Sequence, residues 1–338
     1  MTARTRWLFN SRSEIVEQML SGYAQAHSDV IALSAGLVVR ATPKPQGLVG
    51  IVVGNGSGHE PAMIGWVGHG LLDVNVPGAI FSSPGPARIV AGIKEADRGA
   101  GVLLLVSSHA GDIMNASLAR DEALSQGLAV EMVVLYDDVA SAPREHEEDR
   151  RGGAGLFFVW KIVGAAAESG ASLGECAEIA RKVRRRTRSI AGAIGTVTHP
   201  VSGQPLGQMN DSQLAVGMGV HGEPGTLLGE EITADAVAGL MVSRLVEDVE
   251  AQAGSRVALM VNNSGSLTIM ELSILFRGAA NTLSDRGIEV ARSWMGSYAT
   301  TLDQAGFAFA ICLLDPELEA LYDAPAYGAA FIRVGLST

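Results

Sequence analysis

The order of apolar and polar positions changes period repeatedly along the chain, and those changes predict alternating helices and strands. Across residues 11–28, Ile15, Met19 and Leu20 share one helical face, while Glu14, Glu17 and Gln18 occupy another. Val30 to Val39 and Leu48 to Val53 read as strands divided by the turn Pro43-Lys44-Pro45. A glycine-rich helix is expected from Ala62 to Gly70, and a rigid turn, Phe81 to Pro86, leads into a helix at Ala87 to Ala96. Gly101 to Ser107 contains Val102-Leu103-Leu104-Leu105-Val106, a continuous apolar run of the kind buried on both faces of a sheet. A helix over 113–126 and a strand from Val130 to Tyr136 follow, the strand ending in Asp137-Asp138. This alternation predicts an α/β fold with a parallel sheet wrapped by helices.

The charged run Glu145 to Arg151 reads as a solvated loop, and residues 156–169 and 172–186 as two helices. A boundary near 187–190 predicts two α/β domains with central sheets flanked by helices, over 1–187 and 188–338. In the second half the pattern predicts a helix over 233–253 and a strand from Arg256 to Val261. The polar turn Asn262-Asn263-Ser264-Gly265, a helix over 267–287 and a strand over 307–314 come next. From Ala324 onward there is no strong periodicity.

Composition narrows the functional class. With 338 residues, two domains or one large one are expected, and 47% apolar residues suffice for a substantial core. The net charge of −11 argues against a nucleic-acid groove or an anionic membrane as partner. No apolar run approaches the roughly 20 residues of a membrane span. Arg4 and Arg6 precede only Trp7-Leu8-Phe9, too short for a signal peptide, so a cytoplasmic protein is expected. Cys176 and Cys312 lack a metal or redox spacing and read as buried, reduced thiols. The only lysines are Lys44, Lys94, Lys161 and Lys182, which leaves little room for a Schiff-base lysine. No Gly-Lys dipeptide occurs, so the chain has no Walker-type loop.

Candidate chemistry gathers at Gly54-Asn55-Gly56-Ser57-Gly58-His59-Glu60-Pro61. Three glycines in five positions suit a sharp turn after a strand, and Pro61 suits the first position of a helix. Such a unit aims backbone N–H groups at one point, and His59 adds a group that moves protons near neutral pH. A plain tight connection fits the glycines equally well. Ligands of parallel sheets lie at the carboxyl ends of the strands, and His59, Ser83, Asp112 and Asp137 all follow apolar strands or turns. A second glycine-enclosed histidine, His221, lies within Gly217 to Gly225 and is also followed by Glu-Pro. Arg184-Arg185-Arg186 and Arg188 could hold a phosphate; a basic helix end is the preferred reading.

The ordered set Gly56-Ser57-Gly58-His59-Glu60-Pro61, Phe81-Ser82-Ser83-Pro84, Gly111-Asp112-Ile113-Met114-Asn115, Gly164 to Glu168, Gly217 to Gly225 and Leu321 to Pro325 resembles the dihydroxyacetone-binding K subunit of dihydroxyacetone kinases. The match runs from about residue 11 to the C-terminus. The resemblance implies two α/β domains, a homodimer, and phosphorylation of a small ketose on a terminal hydroxyl. It implies that His221 holds the ketone carbon as a hemiaminal, with Val220 where the family has Ile. It makes Asp112 the base for the attacking hydroxyl and His59 its acid/base partner, while Gly56, Ser57, Gly58 and Ser83 line the substrate pocket. It also implies that no cofactor sits on this chain: ATP or ADP with Mg²⁺ belongs to a nucleotide-binding L-type partner.

Two departures bear on the substrate. Asn55 replaces a glycine, and Ser107-Ser108-His109-Ala110 stands where the family has Lys-Asn-Tyr-Thr, so a substrate-contacting lysine is absent. A four-carbon or branched ketose is then as plausible as dihydroxyacetone. The alternative is a non-catalytic ketose sensor or co-activator of the same fold. A dinucleotide-binding dehydrogenase is excluded, because His59 occupies the last glycine position of that fingerprint.

Overall fold

The computed structural model describes residues 7–206, 209, 213–223, 225–228 and 232–335. They group into two compact units, neither continuous in sequence. One holds Phe9–Leu135, Phe157–Val183 and Pro316 onward; the other holds Tyr136–Leu156 and Arg184–Asp315 together with the N-terminal residues.

In the first unit, strands β1 (Ile31–Ser34), β2 (Leu37–Arg40), β3 (Gly50–Ser57), β4 (Val74–Ile80), β5 (Val102–Ser107) and β6 (Val130–Leu135) form one sheet ordered β1-β2-β4-β3-β5-β6. β3 runs parallel to both β4 and β5, and β5 parallel to β6, so four carboxyl ends share one edge. Helices α1 (Ile15–Ala26), α2 (Pro86–Ala96), α3 (Ala110–Ser125), α4 (Leu156–Glu168) and α5 (Leu173–Arg185) accompany it. Val52, Val74, Val76 and Leu104 of the sheet pack with Ile89 and Ile93 of α2 and Ala116 and Ala119 of α3. The strand expected over Val30 to Val39 is a hairpin instead, because Ala35 and Gly36 turn at φ 49° and 78°.

The helix expected from Ala62 to Gly70 does not form. That segment holds one short 3₁₀ turn, Ile64–Trp66, and a two-residue strand, Gly68–His69, paired with Gly328 and Tyr327. The glycines serve close approach here. A Cβ on Gly65 would meet the Ala330 methyl at 2.5 Å, and one on Gly68 the Tyr327 carbonyl oxygen at 2.0 Å. Trp66, fully buried, lies parallel to Phe331 at 5.0 Å and packs on Phe157 at 4.7 Å. Tertiary packing of these rings overrides the weak helical preference of a glycine-rich stretch.

The second unit carries strands β7 (Thr187–Ala193), β8 (Leu214–Val216), β9 (Thr226–Leu228), β10 (Arg256–Asn263), β11 (Glu289–Gly296) and β12 (Gly306–Leu313), ordered β9-β8-β7-β12-β10-β11. Among the described residues, only β10 and β11 of this sheet pair in parallel. Helices α6 (Ala234–Val249) and α7 (Ile269–Asp285) bury Val237, Met241, Leu245, Leu272 and Leu283 with Val257, Leu259, Phe309 and Ile311. Thr268 and Glu271 close a capping box at the start of α7.

The polar turn expected at 262–265 starts later. Asn262 and Asn263 end β10, both buried, and Asn262 Oδ1 accepts from the N–H groups of Tyr298 and Ala299, each at 2.9 Å. The run Glu145 to Arg151 is solvated as expected through Asp149, where it forms a short 3₁₀ turn, Arg144–Asp149, but Arg150 is nearly inaccessible. Cys176 and Cys312 are free and buried, and burial pushes both thiols up to about 11. Among the described residues no helix is long and apolar enough to cross a membrane.

Candidate active site

In the first unit the expected residues stand at the carboxyl ends of adjacent parallel strands: His59 after β3, Ser83 after β4 and Asp112 after β5. β3 does not turn at Gly54. It continues through Ser57, and Asn55 stays in the strand opposite Pro77, so a positive φ at Asn55 is not needed. Close approach explains the glycines. A Cβ on Gly56 would lie 2.6 Å from the Ser82 nitrogen, and one on Gly58, at φ +104°, would lie 2.7 Å from the Phe81 ring. The end of β3 is thereby pressed against residues 81–82. The rings of His59 and Phe81 are 5.1 Å apart, and His59 is buried.

The anion cradle expected after β3 is absent, since no helix starts at Pro61. The Gly58 N–H that would serve it donates to the Glu60 carboxylate, at 3.0 Å and 3.1 Å. Burial pushes the Glu60 carboxyl up, against those backbone hydrogen bonds. Ser57 Oγ donates to the Gly78 carbonyl at 2.8 Å, which ties β3 to β4.

Asp112 is buried in the first turn of α3, where the helix dipole favours a carboxylate. His109 precedes that helix; its Nδ1 lies 3.0 Å from Ser107 Oγ and 4.0 Å from Asp112 Oδ2. Asn115 of α3 donates to the Pro84 carbonyl at 3.1 Å, and a Cβ on Gly111 would sit 3.7 Å from that of Ser83. Ser83 and Asp112 are thus held on facing segments.

His221 lies in the second unit, on the loop joining β8 to β9. Gly217 and Gly222 adopt φ +80° and +83° there, while Pro224 lies outside the described residues. Glu223 folds back on the histidine. Its carboxylate accepts from the His221 N–H at 2.9 Å and stands 3.5 Å from the ring Nδ1. The two Glu-Pro segments therefore share a local device, with each glutamate accepting from the backbone N–H two residues earlier. Burial alone would raise the Glu223 carboxyl, but the hydrogen bonds from His221 outweigh it and hold the group at about 2.

Sequence reasoning missed Glu223 and its neighbour Arg151, though the repeated Glu-Pro was a visible signal. Asp137 holds backbone in place, its carboxylate accepting from the N–H groups of Gly153 at 2.5 Å and Gly155 at 2.7 Å. Of the basic cluster, Arg188 is buried between Asp248 and Glu147, and Arg184 lies over the Tyr136 ring at 4.3 Å. Neither arrangement is a phosphate site.

The Dak1 domain matches residues 21–330. The chain belongs to the Dak1 family. It is 37% identical over 311 residues to the dihydroxyacetone-binding subunit DhaK of a PTS-dependent dihydroxyacetone kinase from Listeria innocua, covering 92% of this chain and 94% of that one. It is 36% identical over 335 residues to an L-erythrulose kinase of Pectobacterium atrosepticum, covering 98% of this chain but 57% of the relative. Among solved structures, a dihydroxyacetone kinase operon co-activator, DhaQ, superposes with a TM-score of 0.88 at 27% identity, covering 94% of this Dak1 chain and 98% of the co-activator.

Proposed function

We propose that this Dak1 chain is the ketose-binding subunit of a kinase that phosphorylates a small ketose on a terminal hydroxyl. The observation that carries the reading is the convergence of His59, Ser83 and Asp112 on the carboxyl ends of three adjacent parallel strands. A buried carboxylate in a helix's first turn can take the proton of an attacking hydroxyl, and a buried imidazole can exchange protons with its neighbours. Gly56, Ser57, Gly58 and Ser83 line the substrate pocket in this reading. His221 adds to the ketone carbon, so that the substrate is captured by its carbonyl and glycerol is refused. The phosphoryl donor, a nucleotide with Mg²⁺, resides on an L-type partner. The subunit itself is a cytoplasmic homodimer.

The kinase names of the relatives support the enzyme, and an erythrulose kinase among them supports a four-carbon ketose beside dihydroxyacetone. The matched length and fold of the co-activator favour a second reading, a ketose sensor without catalysis. Intact-protein mass spectrometry with three- to five-carbon ketoses tests both, comparing wild type with His221→Ala. An adduct with one sugar, absent in the variant, supports capture on His221; no adduct with any ketose overturns it. Transfer of phosphate to the captured sugar, in the presence of a nucleotide-carrying partner, separates kinase from sensor.

A further inference from the structure

Around His221 the second unit builds more than a reactive ring. The Glu223 carboxylate sits between the His221 N–H at 2.9 Å, the His221 Nδ1 at 3.5 Å and Arg151 Nη1 at 3.9 Å. Arg151 is itself fixed, with Nη2 2.7 Å from Asp138 Oδ2 and 3.1 Å from the Gly217 carbonyl oxygen. Space for this arrangement depends on a missing side chain. A Cβ on Gly219 would fall 2.1 Å from Glu223 Oε2 and 2.2 Å from Arg151 Nη1. Three segments, 138, 151 and 217–223, thus converge on one carboxylate beside one imidazole.

We propose that Glu223 is the positioning residue for His221, accepting the proton on Nδ1 and so placing the ring's lone pair on Nε2, with Arg151 holding the carboxylate in place. The inference rests on the ketose-capturing role given to His221 above. A neutral imidazole carries one N–H, and the partner of one nitrogen decides which nitrogen is nucleophilic. In the addition, the Nε2 lone pair forms the C–N bond as the carbonyl π bond breaks, and the carbonyl oxygen takes a proton from water. The ring becomes an imidazolium, whose charge Glu223 offsets until the Nδ1 proton leaves to solvent and a neutral hemiaminal remains. The carboxyl, held at about 2, stays ionised throughout.

The test is long-range ¹H–¹⁵N correlation on the full chain labelled at histidine, with His221→Ala used for assignment and Glu223→Gln compared with wild type. Without ligand, wild-type His221 should carry its proton on Nδ1, and Glu223→Gln should move the population toward Nε2–H. The adduct with the preferred ketose should weaken by about 10- to 100-fold, the usual effect of removing the partner that orients a functional histidine. Gly219→Ala, which displaces the carboxylate without altering it chemically, should shift the tautomer in the same direction. Nε2–H in wild type, or an unchanged tautomer in both variants, overturns the proposal. The tautomer is read without sugar, so failure of every ketose to add sinks the functional reading alone, and the role of Glu223 is still decided.

Discussion

Arg150 and Asp248 form a two-pronged ion pair inside the second unit, with Nη1 2.8 Å and Nη2 2.6 Å from the two carboxylate oxygens. The arginine side chain is 1% exposed and the aspartate 14%. Arg188 binds the same carboxylate and reaches Glu147 at 2.9 Å. Burial tends to raise the Asp248 carboxyl, but the two guanidinium groups outweigh it and lower the group.

Removing Arg150 takes away the two-pronged partner of that largely buried carboxylate and leaves Arg188 to hold it alone. Arg150→Ala is expected to cost about 3–5 kcal/mol, the range for breaking a buried pair from one side. Urea denaturation measures it. A loss under about 1 kcal/mol would mean the pair behaves like a solvent-screened surface contact. The carboxyl is depressed in the folded state, so its contribution is present above the unfolded value and fades as pH falls through the folded one. The deficit of the variant should therefore shrink in acid.

The same pair shows where the sequence stopped being legible. Runs such as Val102 to Val106 announce a buried strand locally, because their neighbours in space are strands with the same pattern. Arg150 gave no such sign: its partner stands 98 positions away, and within its own run it is one polar residue among seven. Strand β11 was missed for a related reason. It lies at a sheet edge with only Trp294 buried, so its alternation is faint. At the candidate site the residue types and their strand-end placement were legible, but the path of the backbone after Ser57 was not. That path depends on Trp66, Phe157 and Phe331 meeting across the fold.

Glycine substitutions should split in sign along this line. At Gly68 an added methyl meets a backbone oxygen at 2.0 Å, and that oxygen belongs to a paired strand that cannot yield cheaply. Gly68→Ala is expected to destabilise by about 1–3 kcal/mol, the range for overpacking. Gly22 sits exposed in α1 with nothing within 4 Å of an added Cβ. Gly22→Ala should stabilise by about 0.5–1 kcal/mol through helix propensity. Thermal melts of the two variants check the opposite signs.

Lys161 of α4 is fully buried and donates to the Leu321 carbonyl at 2.8 Å. Burial, with the charge of Arg333 added, lowers its amine to about 7. A folded value below the unfolded one means the fold disfavours the charged amine. The penalty is absent above the unfolded value near 10.5, grows as pH falls through the window, and is full below about 7. Lys161→Met removes it, while the lost hydrogen bond costs about 1 kcal/mol at every pH. Relative to wild type, the variant should gain stability on going from about pH 9 to about pH 6. A pH-independent difference between the two melting curves would show that the lysine titrates normally.

Asp112 offers the sharpest division between the two functional readings. A sensor needs a group that captures the ketone, the role proposed for His221; it has no use for a base beside the hydroxyl. Asp112→Asn keeps the size of the side chain and its place in the first turn of α3, so the fold and the adduct should both survive. Phosphoryl transfer, assayed with a nucleotide-carrying partner, should fall by about 10²- to 10⁴-fold, the usual contribution of a positioned acid or base. His59→Asn should lower transfer in the same assay, since a buried imidazole at the end of β3 is the proposed proton partner of Asp112. Unchanged transfer in Asp112→Asn would move the base elsewhere. Adduct formation with no transfer in wild type, under any donor and partner, would leave the co-activator reading standing and make the buried carboxylate a relic of the fold's electrostatics.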